Sequence, residues 1–540
     1  MPFPSAGLLK SPALAPLQDG VFRGLWLAWL TANLTMWMHD VSAAWLMTQL
    51  TDSTVMVALV QTASTLPVFL LGIASGAMAD IVDRRRFFAA TQLWVCATAV
   101  LLALLALAGA LNAELLLVLT FVNGIGLAMR WPVFAAIVPE VVAKPQLPAA
   151  LALGGISMNL SRIIGPLVAG ALLAASGPTA VFVLNAVLAA LAFWLILRWQ
   201  SAPRTSTLPG ERFVGAMRVG LQHVRQSPRM RVILLRVFLF FLQASALLAL
   251  LPLIARAMPG GGAWMFSAMM ACLGGGAIVA ALQFPRLRER YGRDQFIRYG
   301  TISHALLSTL VVSLPTPWIV LPALGLVGAA WISTANALVT SAQLALPNWV
   351  RARGMSIYQM ALMAGTAFGA GLWGQVAGHT SVPTAVVVAA LAGVLLLFAT
   401  RRATVEGGDD EDLSPQPVRP VPGVAIDIQP DEGPVMVTIE YLIDPAREAA
   451  FGEVMQATRA ARLRQGALSW GLFRDTAMPG RYVEYFVDES WVEHLRRHER
   501  FTAADEGLRA RRLAFHLGGQ PPRVQRFIAA TLAAGPPTGL

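Results

Sequence analysis

Apolar stretches of about 20 residues recur through the first three quarters of this chain, and no other feature limits the fold so strongly. Wound as a helix, each matches the ~30 Å hydrocarbon core of a bilayer. The expected spans are 22–48, 55–79, 88–110, 114–138, 148–175 and 178–198, then 230–255, 263–284, 295–314, 317–345, 352–378 and 382–400. Composition agrees: 56% of the 540 residues are hydrophobic and 13% are charged, where soluble domains carry roughly 25% charged residues. The fold class expected is an all-α polytopic membrane protein of about twelve transmembrane helices in two six-helix bundles, followed by a small soluble α+β domain. Cys96 and Cys272 lie far apart inside apolar runs, which excludes a disulfide framework or a metal-binding cysteine spacing.

The net charge of +11 is carried mostly by short loops, so it reads as membrane orientation and not as nucleic-acid binding. Lys10, Arg23, Arg84 to Arg86, Lys144, the 199–231 stretch, Arg286, Arg288, Arg290, Arg351, Arg353, Arg401 and Arg402 fall on one side of the expected spans. The opposite loops have almost no Lys or Arg, with Arg256 the exception. The positive-inside rule makes the basic side cytoplasmic and places both termini there. The expected domains are a cytoplasmic tail at 1–21, a first bundle at 22–198, a basic loop at 199–229, a second bundle at 230–402, an acidic and Pro-rich linker at 403–433, and a soluble domain at 434–530. In the basic loop, Phe213, Val214 or Met217, and Leu221 space as one apolar helix face, which suits a helix lying on the anionic leaflet.

The soluble domain begins with an alternating strand (VMVTIEYLI), and Asp444 and Pro445 open a helix running to about Arg464. Two strands joined at Met478-Pro479-Gly480 follow, then a helix capped by Ser490 and a last strand near 521–529. This β-α-β-β-α-β order is that of a ferredoxin-like unit. His494 and His498 share a helix face, but Arg496 and Arg497 between them would repel a cation, so a solvated or ion-paired surface role is expected and no metal site. Trp470 and Trp491 read as core or interface aromatics.

Polar residues within the apolar runs are functional candidates, because burying a charge in a bilayer costs about 2.5–3.5 kcal/mol. Asn33, Trp37 and Asp40 share one helical face, with His39 adjacent. Asn123 and Arg130 are two turns apart, Asn159 and Arg162 precede Gly165-Pro166, and Arg236 with Gln243 and Asn336 with Gln343 repeat the seven-residue spacing. Polar stripes on five helices suit a water-accessible central cavity. Asp40, Arg130, Arg162 and His39 are the candidates for proton coupling; Asn33, Trp37, Asn123, Asn159, Gln243, Asn336 and Gln343 are the candidates for the cavity.

Between the second and third spans lies GAMADIVDRRRF, in which Gly76, Asp80, Arg84 and Arg85 match the signature loop of major facilitator superfamily transporters. Ile81 and Asp83 depart from it, standing where a basic residue and a glycine are usual. Glu289, Arg290, Gly292 and Arg293 resemble a second, degraded copy. Trp131-Pro132, Val138-Pro139-Glu140, the run from Asn159 through Arg162 to Gly165-Pro166, and the run from Pro347 through Arg351 and Arg353 to Gly354 resemble the enterobactin-exporter-like branch. The tail, with its run from Ser490 to Arg500, is similar to that of the transmembrane secretion effector group and to antibiotic-biosynthesis monooxygenases.

This resemblance implies an exporter of the bacterial inner membrane, moving an amphipathic, siderophore- or drug-like small molecule outward in exchange for protons by alternating access. It implies a cytoplasmic gate of Gly76, Asp80, Asp83, Arg84, Arg85, Glu289, Arg290, Gly292, Arg293, Arg351 and Arg353, with no cofactor and no catalytic residue. Small molecule, protons and membrane lipid are the implied partners, together with a homodimer through the tail. The competing reading is a membrane-tethered monooxygenase-like enzyme or sensor whose spans chiefly anchor the tail.

Overall fold

Helix ends in this chain are written locally, by residues that satisfy the first free backbone N–H groups. In a computed structural model describing residues 14–199, 213–406, 412–414, 416 and 425–530, Asp19 caps α1 (Gly20–Leu50), accepting from Val21 N at 2.7 Å and Phe22 N at 2.9 Å. Ser53 caps α2 (Thr54–Ile81), Asp83 caps α3 (Arg84–Leu107) and Asn112 caps α4 (Ala113–Val141). Gly177, with φ +76°, ends α5 (Leu147–Ser176) and starts α6 (Pro178–Arg198), a left-handed backbone that favours glycine. Then come α7 (Phe213–Gln226), α8 (Pro228–Ala257), α9 (Ala263–Arg288), α10 (Arg293–Ser313), α11 (Pro317–Leu344), α12 (Arg351–His379) and α13 (Val382–Ala399). Among the described residues, nine helices are long and apolar enough to cross a membrane; α1, α10 and α12 are equally long but more polar. Lys10, Arg204 and Arg212 lie outside the described residues, as do Asp409 to Glu411 of the acidic run.

The chain divides into two compact units. The first is helical, and its two sets of six helices meet along two seams. At one, α5 packs on α9, where a Cβ on Gly170 would fall 1.9 Å from Ser267 Oγ. At the other, Gly374 and Gly378 of α12 lie against Ala58 and Val55 of α2, and Thr62 Oγ1 donates to Ala367 O at 2.9 Å. The fifth helix of the first set thus meets the second of the other, and the second meets the fifth, as two halves related by a two-fold would. Arg256 bonds to the Thr48 carbonyl and to Asp52 at 3.4 Å, which accounts for a basic residue in a loop set otherwise almost free of Lys and Arg. Large apolar side chains such as Leu104, Leu107, Leu282 and Leu395 stay exposed, as lipid-facing positions require.

The second unit contains the tail, α7 and residues 342–355. Strands β1 (Val435–Leu442), β2 (Ser469–Arg474), β3 (Arg481–Asp488) and β4 (Val524–Ile528) form one antiparallel sheet in the order β2-β3-β1-β4. Helix α14 (Glu448–Arg464) is joined by α15 (Trp491–Glu499) and α16 (Ala503–Leu513); the sequence reading had no counterpart for α16, which starts at a Thr502–Asp505 capping box.

One sequence expectation is extended and one is corrected within this unit. Helix α7 buries Val219, Gly220, His223 and Val224 while Leu221 is exposed. Gln222 Nε2 donates to Ala467 O at 2.7 Å, Arg218 pairs with Glu489 at 2.5 Å, and Arg353 packs against Gly220. Protein therefore covers the neighbouring face, while Leu221, of the face expected to lie on lipid, stays exposed. His494 is buried and not on the surface: its Nδ1 lies 2.8 Å from Asp488 Oδ2, and Arg526 Nε lies 3.2 Å from its Nε2.

Burial, with the charges of His494, Arg497 and Arg526 nearby, lowers the His498 pKa to about 4, from an ordinary 6.5; Asp488 opposes weakly. The unfolded chain then binds a proton between pH 6.5 and 4 that the folded unit refuses, so stability is full above pH 6.5 and drains as pH falls towards 4. The second unit's melting temperature is expected to fall across that window, and less steeply in His498→Gln. Identical slopes for the two proteins would remove His498 as the cause.

Candidate functional site

The polar residues of the helical unit separate by what they touch. Arg130 is fully buried: Nη1 donates to Ala32 O, and Nη2 lies 3.2 Å from Asn33 Oδ1 and 3.7 Å from Met36 Sδ. Its guanidinium sits 5.2 Å from the Trp29 ring centre. It therefore ties α4 to α1 through groups that are all protein. Asn33 completes this cluster, with Nδ2 3.5 Å from Ser157 Oγ. Asn123 is buried on the Arg130 face of α4, where Gly124 lets the Pro67 region of α2 approach closely.

Asp40 is half-buried and accepts from Ser64 Oγ of α2 at 2.7 Å, with Arg130 acting on it only through its charge. A carboxylate bonded to a neutral hydroxyl, without a cation in direct contact, can exchange a proton at no cost in broken ion pairs. His39 points elsewhere, against Phe182 with ring centres 6.3 Å apart, and its Nε2 has no partner among the described residues.

Trp37 and Arg162 come together: the Arg162 guanidinium carbon lies 5.2 Å from the Trp37 ring centre and 4.4 Å from that of Trp331 on α11. A Cβ on Gly165 would fall 2.7 Å from Trp37 Cβ, so the glycine is what lets α5 and α1 bring these side chains into contact. Asn159 is half-buried and bonds Gly155 O of its own helix at 3.0 Å, and Asn336 is half-buried on α11. Gln243 turns inward among the second six helices, reaching Thr301 O at 3.4 Å beside His304 and Ser308. Gln343 is exposed in the last turn of α11. Arg236 caps the end of α13, donating to Thr400 Oγ1 and Thr400 O at 2.9 Å each.

Of the gate residues, Gly76 and Asp80 fall in the last turns of α2, and their side-chain surroundings lie outside the described residues. Asp83, unusual for the motif, is the α3 N-cap, accepting from Arg86 N at 3.1 Å. Arg84 pairs with Glu140 of α4 at 2.5 Å, and Arg85 donates to the Leu197 carbonyl of α6, so both arginines hold ends of the first six helices together. In the second copy, Glu289 and Arg290 are exposed at the α9 end, and Gly292 is the α10 N-cap. Arg293 N donates to Glu406, while Asp294 accepts from Val405 N at 2.9 Å and Glu406 N at 2.9 Å. These reciprocal bonds pin the start of the linker to that helix. Arg351 reaches Leu346 O at 3.4 Å, and Arg353 belongs to the α7 contact already described.

Sequence reasoning missed Trp331, Ser64, Glu140 as a partner, and the Asp294–Glu406 exchange. A tryptophan or serine in an apolar run carries no mark distinguishing it from packing.

A search for relatives matches residues 11–533 to the family described as transmembrane secretion effector. The chain belongs to that family. It is a multi-pass membrane protein with a fold of the major facilitator type. It is 24% identical to macrolide efflux protein A of Streptococcus pyogenes over 43% of this chain, and spans 58% of that relative's length. It is 22% identical to the staphyloferrin A transporter of Staphylococcus aureus, over 56% of this chain and 76% of that one. The fold is similar to the crystal structure of nucleoside transporter NupG, with a TM-score of 0.59 at 14% identity, covering 71% of this chain and all of that one. An auto-inhibited peptide transporter of the POT family gives the same TM-score at 13% identity, over 71% of this chain and 96% of that one.

Proposed function

We propose that this secretion effector is a secondary active exporter carrying an amphipathic, drug- or siderophore-like molecule across the bacterial inner membrane by alternating access, driven by proton antiport. The observation that carries the reading is the pair of exchanged seams within a chain matched to this family almost end to end. Such seams let one set of six helices rock against the other about a site near the midplane. All twelve long helices span the membrane in this reading, and both termini are cytoplasmic. The named substrates of the macrolide and staphyloferrin relatives support the cargo class. Asp40 is the proton-carrying group, since its hydroxyl partner Ser64 holds it in place in either protonation state. Arg84 and Glu140 serve as part of the cytoplasmic gate.

The tail reads as a ferredoxin-like module that dimerises or regulates. Its buried acids Glu484 and Asp488 are bonded to Arg462, Tyr441, Trp470, His494 and Arg497, which favours a structural role over catalysis.

In inverted vesicles, a proton gradient is expected to drive uptake of dyes or siderophores by the intact protein. Asp40→Asn should abolish gradient-driven uptake while leaving energy-independent exchange of the same compound. Normal driven uptake by that variant would remove Asp40 from the coupling step.

A further inference from the structure

Three half-buried side chains with buried N–H donors meet where the two sets of helices face one another. Arg162, Trp37 and Trp331 each stand near the middle of their helices, α5, α1 and α11. The guanidinium lies against both indole rings, at 5.2 and 4.4 Å from their centres. Nε and Nη1 of Arg162, Nε1 of Trp37 and Nε1 of Trp331 are all buried, and none has a hydrogen-bond partner among the described residues. Arg130 and Arg236 lie in similar apolar helices, yet each is held by backbone carbonyls and side-chain acceptors. Arg162 alone of these three makes no such bond among the described residues.

A guanidinium away from water is expensive unless charge-assisted bonds replace its hydration. Stacking on indole supplies part of this through the ring quadrupole, but leaves the in-plane N–H donors open. What a cluster of donors without acceptors lacks is an oxyanion. A carboxylate is planar, accepts two parallel N–H bonds from one guanidinium, and leaves lone pairs for an indole N–H. The indole faces beside it favour a flat apolar group on the same molecule.

We infer that Trp37, Arg162 and Trp331 form the anion-recognising part of the transport site, taking the carboxylate of a substrate whose adjoining part is flat and apolar. This rests on the transport reading proposed above and names the substrate class within it. Trp331 enters as a specificity residue that seals the site from the second set of helices. The arginine binds the carboxylate and is not a carrier of protons.

Binding to the purified full-length protein in detergent tests this, using calorimetric titration with benzoate and citrate and with benzamide as the uncharged match. Benzoate is expected to bind and benzamide not to. Arg162→Gln should weaken benzoate at least tenfold, and Arg162→Lys less than Gln does, because an ammonium keeps the charge but loses the planar fork. Trp331→Phe, which keeps a ring face and loses one N–H, should weaken benzoate modestly with no gain for benzamide. Equal binding of benzoate and benzamide, or benzoate binding unchanged in Arg162→Gln, overturns the inference. So does a loss of melting temperature in Arg162→Gln without any change in benzoate affinity, which would make the cluster a structural clasp. Displacement of benzoate by phosphatidylglycerol at far lower concentrations than by citrate would assign the site to a lipid headgroup and also overturn it. Gradient-driven uptake in vesicles reads the transport proposal separately: uptake without Arg162-dependent anion binding sinks only this inference.

Discussion

Glu484→Gln is expected to destabilise the second unit by about 3–5 kcal/mol, the usual result of removing one member of a buried ion pair. The Glu484 side chain is wholly buried and accepts from Arg462 Nε at 3.0 Å, Tyr441 Oη at 2.8 Å and Trp470 Nε1 at 3.1 Å, with Arg512 at 3.9 Å. Burial alone would raise its pKa; the charges of Arg462 and Arg512 outweigh that and hold it at about 2. The stability it contributes is present above the ordinary carboxylate range and lost as pH falls towards 2. Glutamine keeps the shape but leaves two buried guanidinium groups without their shared countercharge. Thermal unfolding of the full-length protein, followed through Trp470 fluorescence, reads the effect. Arg462→Met should also be damaging, yet the double variant should lose clearly less than the two singles added together. Additive losses would mean that the pair does not act as a unit.

Gly276→Val is expected to lower the folded-to-unfolded ratio by about five- to 160-fold, the ~1–3 kcal/mol of an overpacked contact, and the yield of folded protein with it. A Cβ at Gly276 would fall 1.8 Å from the Gly325 carbonyl oxygen, and one at Gly328 would fall 1.9 Å from that of Leu273. Both obstacles are backbone, so no rotamer change relieves them and α9 and α11 must separate. In a bilayer, where helices associate by close packing and not by the hydrophobic effect, that separation removes the main attraction. Gly275 is the internal control, because a Cβ there meets nothing within 4 Å. The test compares monodisperse yield on size-exclusion chromatography. Equal yields of Gly276→Val and Gly275→Val would show that the tight crossing does not matter.

Much of the local structure was legible in the residues. The apolar runs coincide to within a few residues with twelve long helices, since length and hydropathy are properties of a segment by itself. The caps at Asp444 and Ser490 were readable for the same reason: a side chain two or three residues from the N–H it accepts needs no distant partner. Helix α7 shows where this stops. Its period was visible, but not which side would be buried, because that depended on Arg353 and the tail, which lie far along the chain.

Sequence alone determined that the chain is a helical membrane protein with an α+β tail, and it nominated the charged residues inside the helices. It could not say what each of them touches. Arg130 and Arg162 are both arginines in apolar runs, told apart in the sequence only by Arg130 lying nearer the basic end of its span. Only tertiary structure gave Arg130 the Ala32 carbonyl and Asn33 as acceptors, and left Arg162 with two indole faces and open donors. The reason is that helix formation is settled within a few residues, whereas the pairing of a buried charge is settled by which helices cross, and where glycines allow them to meet.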